Sequence, residues 1–171
     1  MNVSASQLLS IGFFETVAGA LTDADRPDLL KLEVTESVFV RDAERALVVL
    51  NDLKELGVML ALDDFGTGFS SLSYLKRYPI DFIKVDREFV TDLGSDAASE
   101  TILTSLIALG HGLGMTVVSE GVETEEQRDE VSRLGCDYLQ GFYLARPVSG
   151  ATLEALIKPG PDGHVPHLPS P

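Results

Sequence analysis

The residues of this chain that could do chemistry gather at one kind of place. Asn2, Glu33 with Glu36, Asp63 with Asp64, Lys84 with Asp86, Glu120 with Glu123, and Gln140 each stand at or just beyond the C-terminal end of a predicted β-strand. One carboxylate after a strand is usually a helix cap or a solvated surface group. Several consecutive strands ending this way form a pattern. The donors are carboxylate and amide oxygens, and none of the three histidines sits at a predicted strand end. Oxygen donors of this kind point to a hard cation, Mg²⁺ or Mn²⁺, rather than to a structural zinc site.

The pair Asp63-Asp64 is the most informative feature. Neighbouring side chains of an extended strand face opposite ways. Both can serve one site only where the backbone departs from the strand, and Phe65-Gly66-Thr67-Gly68 makes such a departure possible. One carboxylate could then bridge two cations while the next binds one. Two cations about 4 Å apart activate water and stabilise the leaving oxygen of a phosphodiester. Lys84 suits orienting that water or neutralising developing charge. Its plainer reading is a salt bridge within an acidic rim.

The elements that must position these groups alternate along the chain. Asn2-Val3-Ser4 reads as a strand end. Leu8, Leu9, Phe13, Val17 and Leu21 predict a helix over about Ser6 to Leu21. Asp23 to Pro27 reads as a turn, and Leu30 to Thr35 alternates as a strand. A helix is predicted from about Asp42 to Leu56 with Gly57 as its cap, then a short apolar strand over Val58 to Leu62. The glycine-punctuated loop of Asp63 to Phe69 precedes a short helix around Ser70 to Lys76. Further strands are expected at Phe82 to Val85, Met115 to Ser119 and Tyr138 to Leu144. Helices are expected at Ala97 to Leu109, Thr124 to Leu134 and Gly150 to Ile157. The tail from Pro159 to Pro171, rich in Pro and Gly, reads as disordered.

Strands alternating with helices imply an α/β fold with a parallel sheet. An open doubly wound sheet would concentrate its polar groups at one switch point. Polar residues after nearly every strand favour a TIM-like (β/α) barrel, which gathers them on one rim. No Gly-x-Gly-x-x-Gly or Walker-type phosphate loop is present.

Composition sets the outer limits. The chain has 171 residues, 44% of them hydrophobic, and a formal net charge of −14. That charge argues against DNA or RNA as a partner, which would need clustered Lys and Arg. An acidic pocket still accepts a small phosphate ligand when metal cations bridge the two. No apolar run approaches the roughly 20 residues of a membrane span. The single cysteine, Cys136, reads as a small core residue, and a reducing cytoplasmic setting is the simplest expectation.

Five segments together resemble the EAL domain of bacterial cyclic di-GMP phosphodiesterases. They are Leu32-Glu33-Val34-Thr35-Glu36-Ser37, Asp63 to Leu72, Ile83-Lys84-Val85-Asp86, Ser119-Glu120-Gly121-Val122-Glu123 and Gln140 to Pro147. Order and spacing match over residues 1–157. The resemblance implies a variant TIM barrel that linearises cyclic di-GMP to pGpG with a two-metal Mg²⁺ or Mn²⁺ site. It implies Asn2, Glu33 and Asp63 as ligands of the first metal, Asp63 as the bridge, and Asp64 and Glu120 as ligands of the second. It makes Lys84 the holder of the catalytic water, Glu120 also a general base, and Gln140 a supporting residue. Asp64 to Ser71, including Phe65, Gly66, Thr67 and Gly68, resembles the family's mobile loop, which couples metal binding to homodimerisation. Glu36 resembles that loop's anchor, with Asp86 and Glu123 as acidic neighbours. Phe69 stands where many members have Tyr. Sensor or GGDEF domains commonly lie upstream in such proteins.

The departure from the family is at the beginning. The Glu-Ala-Leu signature, whose Glu is a metal ligand, belongs to two strand units that precede the match to Asn2. The expectation is therefore about six strands, with the first two units missing and the barrel unable to close. Met1 stands where the family usually has Val, as a GTG codon assigned as a start would give. The expectation is a fragment or a misassigned start, with impaired activity of the chain as it stands. Glu154-Ala155-Leu156 is a decoy, since it follows the last strand and lacks the signature's downstream Arg. A catalytically inactive nucleotide-binding module is the alternative, and an enolase-like Mg²⁺ barrel is a weaker third.

Overall fold

A computed structural model of the chain describes residues 1–67, 75–94 and 96–157, with side chains through residue 154. Six parallel strands form one sheet in chain order. They are β1 (Asn2–Val3), β2 (Lys31–Thr35), β3 (Met59–Phe65), β4 (Phe82–Val85), β5 (Thr116–Ser119) and β6 (Tyr138–Leu139). The helices are α1 (Ala5–Leu8), α2 (Phe13–Ala20), α3 (Ser37–Arg41), α4 (Ala43–Glu55), α5 (Glu88–Thr91), α6 (Ala97–Gly112), α7 (Glu125–Arg133) and α8 (Gly150–Ile157), with a 3-10 turn at Pro27–Leu29. Every strand pairs with the next in parallel register, and among the described residues β1 and β6 do not pair with each other.

The two faces of the sheet differ, as strand alternation dictates. Leu32, Val34, Leu60, Leu62, Ile83, Val85 and Val117 are almost wholly buried and join one core with Leu50 and Leu53 of α4 and Leu103 and Ile107 of α6. On β2 the alternate residues Lys31, Glu33 and Thr35 are only half-buried. They turn to the other face, where a barrel keeps its interior.

Two aspartates fix the end of the sheet away from the acidic rim. Lys54 of α4 donates to both oxygens of Asp81 at 2.8 Å, and Asp81 Oδ2 accepts the Leu60 amide at 2.8 Å. Asp137 Oδ2 accepts the Val117 amide at 2.7 Å and lies 2.8 Å from His111 Nε2. Each aspartate precedes a strand and binds the neighbouring strand's backbone, so both pin register. The Asp137 carboxyl is held below the usual range, first by that backbone amide.

Several elements depart from the sequence expectation. The helix expected over Ser6 to Leu21 is two helices, broken where Gly12 takes a φ of 87°. A capping box of Ser4 and Gln7 starts the first of them. The short helices α3 and α5 were not legible, because four or five residues carry no periodicity. β3 runs on to Phe65 instead of ending at Leu62. β6 stops at Leu139, short of Leu144. There the chain folds back, with Val122 N donating to Gln140 O at 3.1 Å and Tyr143 N to Val122 O at 3.0 Å. The helix expected around Ser70 to Lys76, the residues from Gly68 to Ser71 and the tail from Pro159 lie wholly or mostly outside the described residues. Cys136 packs against the core as expected, its Sγ 3.3 Å from both Val117 O and Tyr138 O, either of which can accept its one S–H, and burial pushes its pKa up to about 11.

Candidate metal centre

The rim forms around Lys84. Strand β4 carries Lys84 on the inner face, with the side chain only 7% exposed. Its Nζ donates to Glu33 Oε2 at 2.7 Å and Asp63 Oδ1 at 2.8 Å, and lies 2.6 Å from Glu120 Oε1. These carboxylates come from β2, β3 and the residue after β5, so three strand ends converge on one ammonium. Burial works against the Lys84 charge, but its contacts with the accepting carboxylates of Asp63, Glu120 and Glu33 outweigh it and hold the pKa above that of an ordinary lysine.

Asp63 and Asp64 reach the same site by a bulge inside the strand. The β3–β4 register shifts between Leu62 and Phe65, and Asp64 takes a φ of 53°. That left-handed residue undoes the alternation that would have sent Asp64 to the helix side. Oxygens of Asp63, Asp64 and Glu120 then lie within 4.8 Å of one another. The Asp64 carboxyl is pushed up by burial, then by the charges of Asp63 and Asp86. Glu120 is pushed up by burial, against the pull of Lys84 and with a further push from Asp63 and Glu33. Carboxylates that resist ionisation side by side suit an additional cation.

Asn2 tests that fit independently. Register places it beside Glu33, and its amide end lies 3.2 Å from Asp63 Oδ2 and 3.3 Å from Glu33 Oε2 when the NH₂ faces them. With the amide reversed, three oxygens converge, which only a shared cation makes favourable. The donor set is all oxygen, and the residues present fit Mg²⁺ or Mn²⁺.

The remaining expected residues surround this centre. Glu36 Oε1 accepts the Gly66 amide at 3.4 Å, and Thr67 Oγ1 donates to Asp64 O at 2.9 Å. Phe65 is buried beneath the turn. Gly66 has a φ of 101°, and a Cβ there would lie 2.8 Å from the Phe89 ring. Gly68 falls outside the described residues. Asp86, Glu123 and Gln140 join Glu120 in lining an open cleft of about 340 Å³. Asp86 Oδ1 accepts the Glu88 amide at 2.8 Å, opening α5. Glu154 is an exposed residue of helix α8, apart from the cleft's lining residues.

Sequence reasoning gave no site role to Arg87, Gly121, Gly141 and Phe142, which line the same cleft, although the last three stand within the segments that carry the resemblance. Gly121 has a φ of 72°, and a Cβ there would collide with Arg87. A Cβ on Gly141 would collide with the Val122 backbone. The available signal was position, since each lies within two residues of a strand-end residue already singled out.

An α/β sheet with an acidic, lysine-centred rim at its strand ends defines a (β/α)-barrel type of site whose carboxylates could hold a metal. Comparison with known proteins says which one: the EAL domain model matches residues 1–147, and the chain belongs to that family. The chain is 45% identical over 158 residues to the bifunctional diguanylate cyclase/cyclic di-GMP phosphodiesterase MucR of Pseudomonas aeruginosa, covering 92% of this chain and 23% of MucR. The solved phosphodiesterase of MucR with c-di-GMP superposes with a TM-score of 0.83 at 46% identity, over 89% of this chain and 62% of that one. The EAL domain of Mycobacterium smegmatis DcpA gives 0.87 at 43% identity, over 96% and 73%. Klebsiella pneumoniae BlrP1, solved as a manganese/cy-diGMP complex, gives 0.78 at 36% identity, over 86% and 38%. The chain thus spans about a quarter or less of the length of the first two curated relatives it matches.

Proposed function

We propose that this chain carries the site of a cyclic di-GMP phosphodiesterase, hydrolysing one phosphodiester of the cyclic dinucleotide to give linear pGpG. The observation that carries this reading is the convergence of Asp63, Asp64 and Glu120 oxygens within 4.8 Å, on a lysine-centred rim. Mg²⁺ or Mn²⁺ held by Asn2, Glu33, Asp63, Asp64 and Glu120 would supply an activated water and a Lewis acid for the phosphate oxygens. MucR and BlrP1, both solved with the cyclic dinucleotide, support the substrate, and the manganese in BlrP1 supports the metal.

The chain's own residues divide the remaining work. Glu120 has its pKa raised by burial, which brings a carboxylate closer to the range useful for accepting a proton from water. Lys84 places a fixed positive charge where negative charge would develop. Asp86, Glu123 and Gln140, with Phe142, shape the cleft beside Glu120 for the nucleotide. Glu36 ties the turn after β3 to the strand β2 side of the rim. Homodimerisation and coupling to upstream sensor or GGDEF domains follow from the same family reading.

The test is turnover of cyclic di-GMP with Mn²⁺, by this chain and by a version extended upstream. Formation of pGpG supports the enzyme, and nucleotide binding without pGpG by the extended form refutes it. In an active form, Asp63→Asn removes the charge shared by the ligand set and should lower turnover at least about 100-fold, a loss of at least ~2.7 kcal/mol in transition-state stabilisation. Retained activity would refute the role given to Asp63.

A further inference from the structure

We propose that Arg87 is a specificity-determining residue of this site, its guanidinium reading the O6 and N7 edge of one guanine of the cyclic dinucleotide in the cleft beside Glu120. The inference rests on the nucleotide reading given above and deepens it.

The make-up of the cleft carries it. Its lining holds three carboxylates, Asp86, Glu120 and Glu123, one side-chain amide, Gln140, one aromatic ring, Phe142, and one cation, Arg87. Among the described residues the Arg87 guanidinium has neither an ion-pair nor a hydrogen-bond partner, although carboxylates line the same cleft. The five N–H donors of its planar fork are therefore not spent inside the protein. Arg26, Arg128 and Arg133 differ, since each closes on a carboxylate. The stem of Arg87 is held by Gly121. A Cβ on Gly121 would lie 3.1 Å from Arg87 Cα and 3.5 Å from its Cγ, so the turn after β5 packs directly on that stem. Gly121 also lines the cleft, and the stem thus runs along the cleft wall.

The rest of the lining decides what those donors meet. A phosphate in this cleft would face three carboxylates with one guanidinium in its favour, whereas the rim beside it offers Lys84 and the residues that would hold a metal. A base has no such conflict. Guanine presents O6 and N7 acceptors side by side, which an arginine fork matches bidentately. Its N1–H and N2–H₂ donors suit the carboxylates of Asp86 and Glu123 or the Gln140 oxygen. Phe142 supplies the flat surface. Its side chain is 45% exposed, and Arg146 lies over the ring at 4.8 Å from the centroid, which leaves the opposite face for a base to stack on. The cleft, at about 340 Å³, is at the small end of ligand sites and suits one base rather than a whole dinucleotide. Adenine reverses half of the pattern. It puts an N6–H₂ donor where guanine has O6, so the arginine fork would meet a donor there.

Calorimetric titration with cyclic di-GMP and cyclic di-AMP tests this, on this chain and on the form extended upstream. Ca²⁺ is the metal, a hard cation of looser geometry than Mg²⁺. The proteins are wild type, Arg87→Gln, Arg87→Met and Arg133→Met, the last a control because Arg133 pairs with Glu100 and Glu130 in the helix layer. Gln offers the donor and acceptor that suit adenine rather than guanine. Reading of the guanine edge predicts that both Arg87 variants lower the ratio of cyclic di-GMP to cyclic di-AMP affinity at least about tenfold, while Arg133→Met stays within about twofold of wild type. A cyclic di-GMP probe with N7 replaced by carbon adds a readout that a merely structural role would not move. Wild type should bind this probe at least about fivefold more weakly than cyclic di-GMP, and Arg87→Met within about twofold. Where cyclic di-AMP binds too weakly to titrate, the N7 probe decides alone. Equal loss of both nucleotides in the Arg87 variants, or no loss, overturns the role of Arg87 and leaves the phosphodiesterase reading standing. So does an N7 penalty that is the same in wild type and Arg87→Met. Absence of cyclic di-GMP binding by wild type in both forms overturns the nucleotide reading, and the role of Arg87 with it.

Discussion

Asp64 offers a perturbation in which backbone and charge can be separated. It is the one described non-glycine residue with positive φ, at 53°, and its carboxyl is pushed up by partial desolvation at the rim and by the charges of Asp63 and Asp86. Asn tolerates the left-handed region about as well as Asp, so Asp64→Asn changes the charge and leaves the backbone alone. Asp64 is exposed, and the repulsion relieved is of the surface kind, about 0.5 kcal/mol. Ala at this φ loses about 1 kcal/mol to its Cβ, which outweighs the relief and leaves a net loss of roughly 0.5 kcal/mol. Gly relaxes the backbone but gives unfolded-chain entropy back, so Asp64→Gly should fall between the other two. Urea unfolding in EDTA at pH 7 should therefore rank Asn above Gly above Ala, with Asn slightly above wild type. The folded pKa of Asp64 lies above its unfolded value, so its charge lowers stability above that unfolded value. The advantage of Asn should vanish as pH falls below about 3.9, where the unfolded carboxyl is also neutral. With Mn²⁺ at about 100 times Kd, wild type gains about 2.7 kcal/mol, and every variant should lose most of that gain. Two results would refute the reasoning. Asp64→Asn clearly less stable than wild type in EDTA would mean that the carboxylate helps hold the metal-free rim together. Equal stability of Ala and Asn would mean that the left-handed turn makes no demand on residue type.

Three further outcomes follow from the geometry. Glu120, like Asp64, has a folded pKa above its unfolded value, so its contribution to stability declines as pH rises from about 4.3 through the folded pKa; the Mn²⁺-induced rise in Tm should be larger at pH 7.5 than at pH 5. Gly66→Ala places a Cβ 2.8 Å from the Phe89 ring at a φ of 101°, and chemical denaturation should show a loss of about 2 to 4 kcal/mol. Asp81→Asn weakens the bond to Lys54 at the far end of the sheet, so it should lower stability by roughly 1 to 3 kcal/mol while calorimetry finds Mn²⁺ affinity within twofold of wild type.

What the sequence made legible follows from what it encodes locally. Strand alternation in Lys31–Thr35 announced which face Glu33 would take, and the β2 burial pattern bears it out. Phe82 to Val85 and Gly150 to Ile157 were bounded correctly because turn residues flank them. The joint reach of Asp63 and Asp64 was also foreseeable, since alternation forbids it without a break. The form of that break was not. It is a bulge within a continuing strand, set by pairing with β4 across a register shift. That Lys84 would form salt bridges within the acidic rim was legible and is what the structure shows; which carboxylates it takes was not, since Glu33, Asp63 and Glu120 are far apart in sequence and only the parallel register stacks them. The break in the first predicted helix turned on one left-handed glycine inside an otherwise periodic run. Arg87, Gly121, Gly141 and Phe142 lie within two residues of strand-end groups already singled out, but their joint lining of one cleft is a property of loops meeting, which no local pattern announces.

Holding like charges together is the physical problem this rim solves, and the solution lies on the opposite face of the sheet. Glu33, Asp63 and Glu120 cannot be gathered by attraction to one another. Their backbones are placed instead by strands whose alternate residues are fully buried, among them Leu32, Val34, Leu62, Ile83 and Val117. Each such side chain contributes about 1.5 to 3 kcal/mol on burial. A slip of one residue in any strand would carry that apolar row to the wrong face and its carboxylate or lysine into the helix layer. Register is therefore fixed by a sum of terms far larger than the repulsion among the carboxylates. Asp81 and Asp137 add backbone bonds at the far end that would also break in a slip. The rim can then remain electrostatically unsatisfied, with Lys84 as a partial counter-charge, and an unsatisfied rim is what gives a divalent cation something to gain on entering.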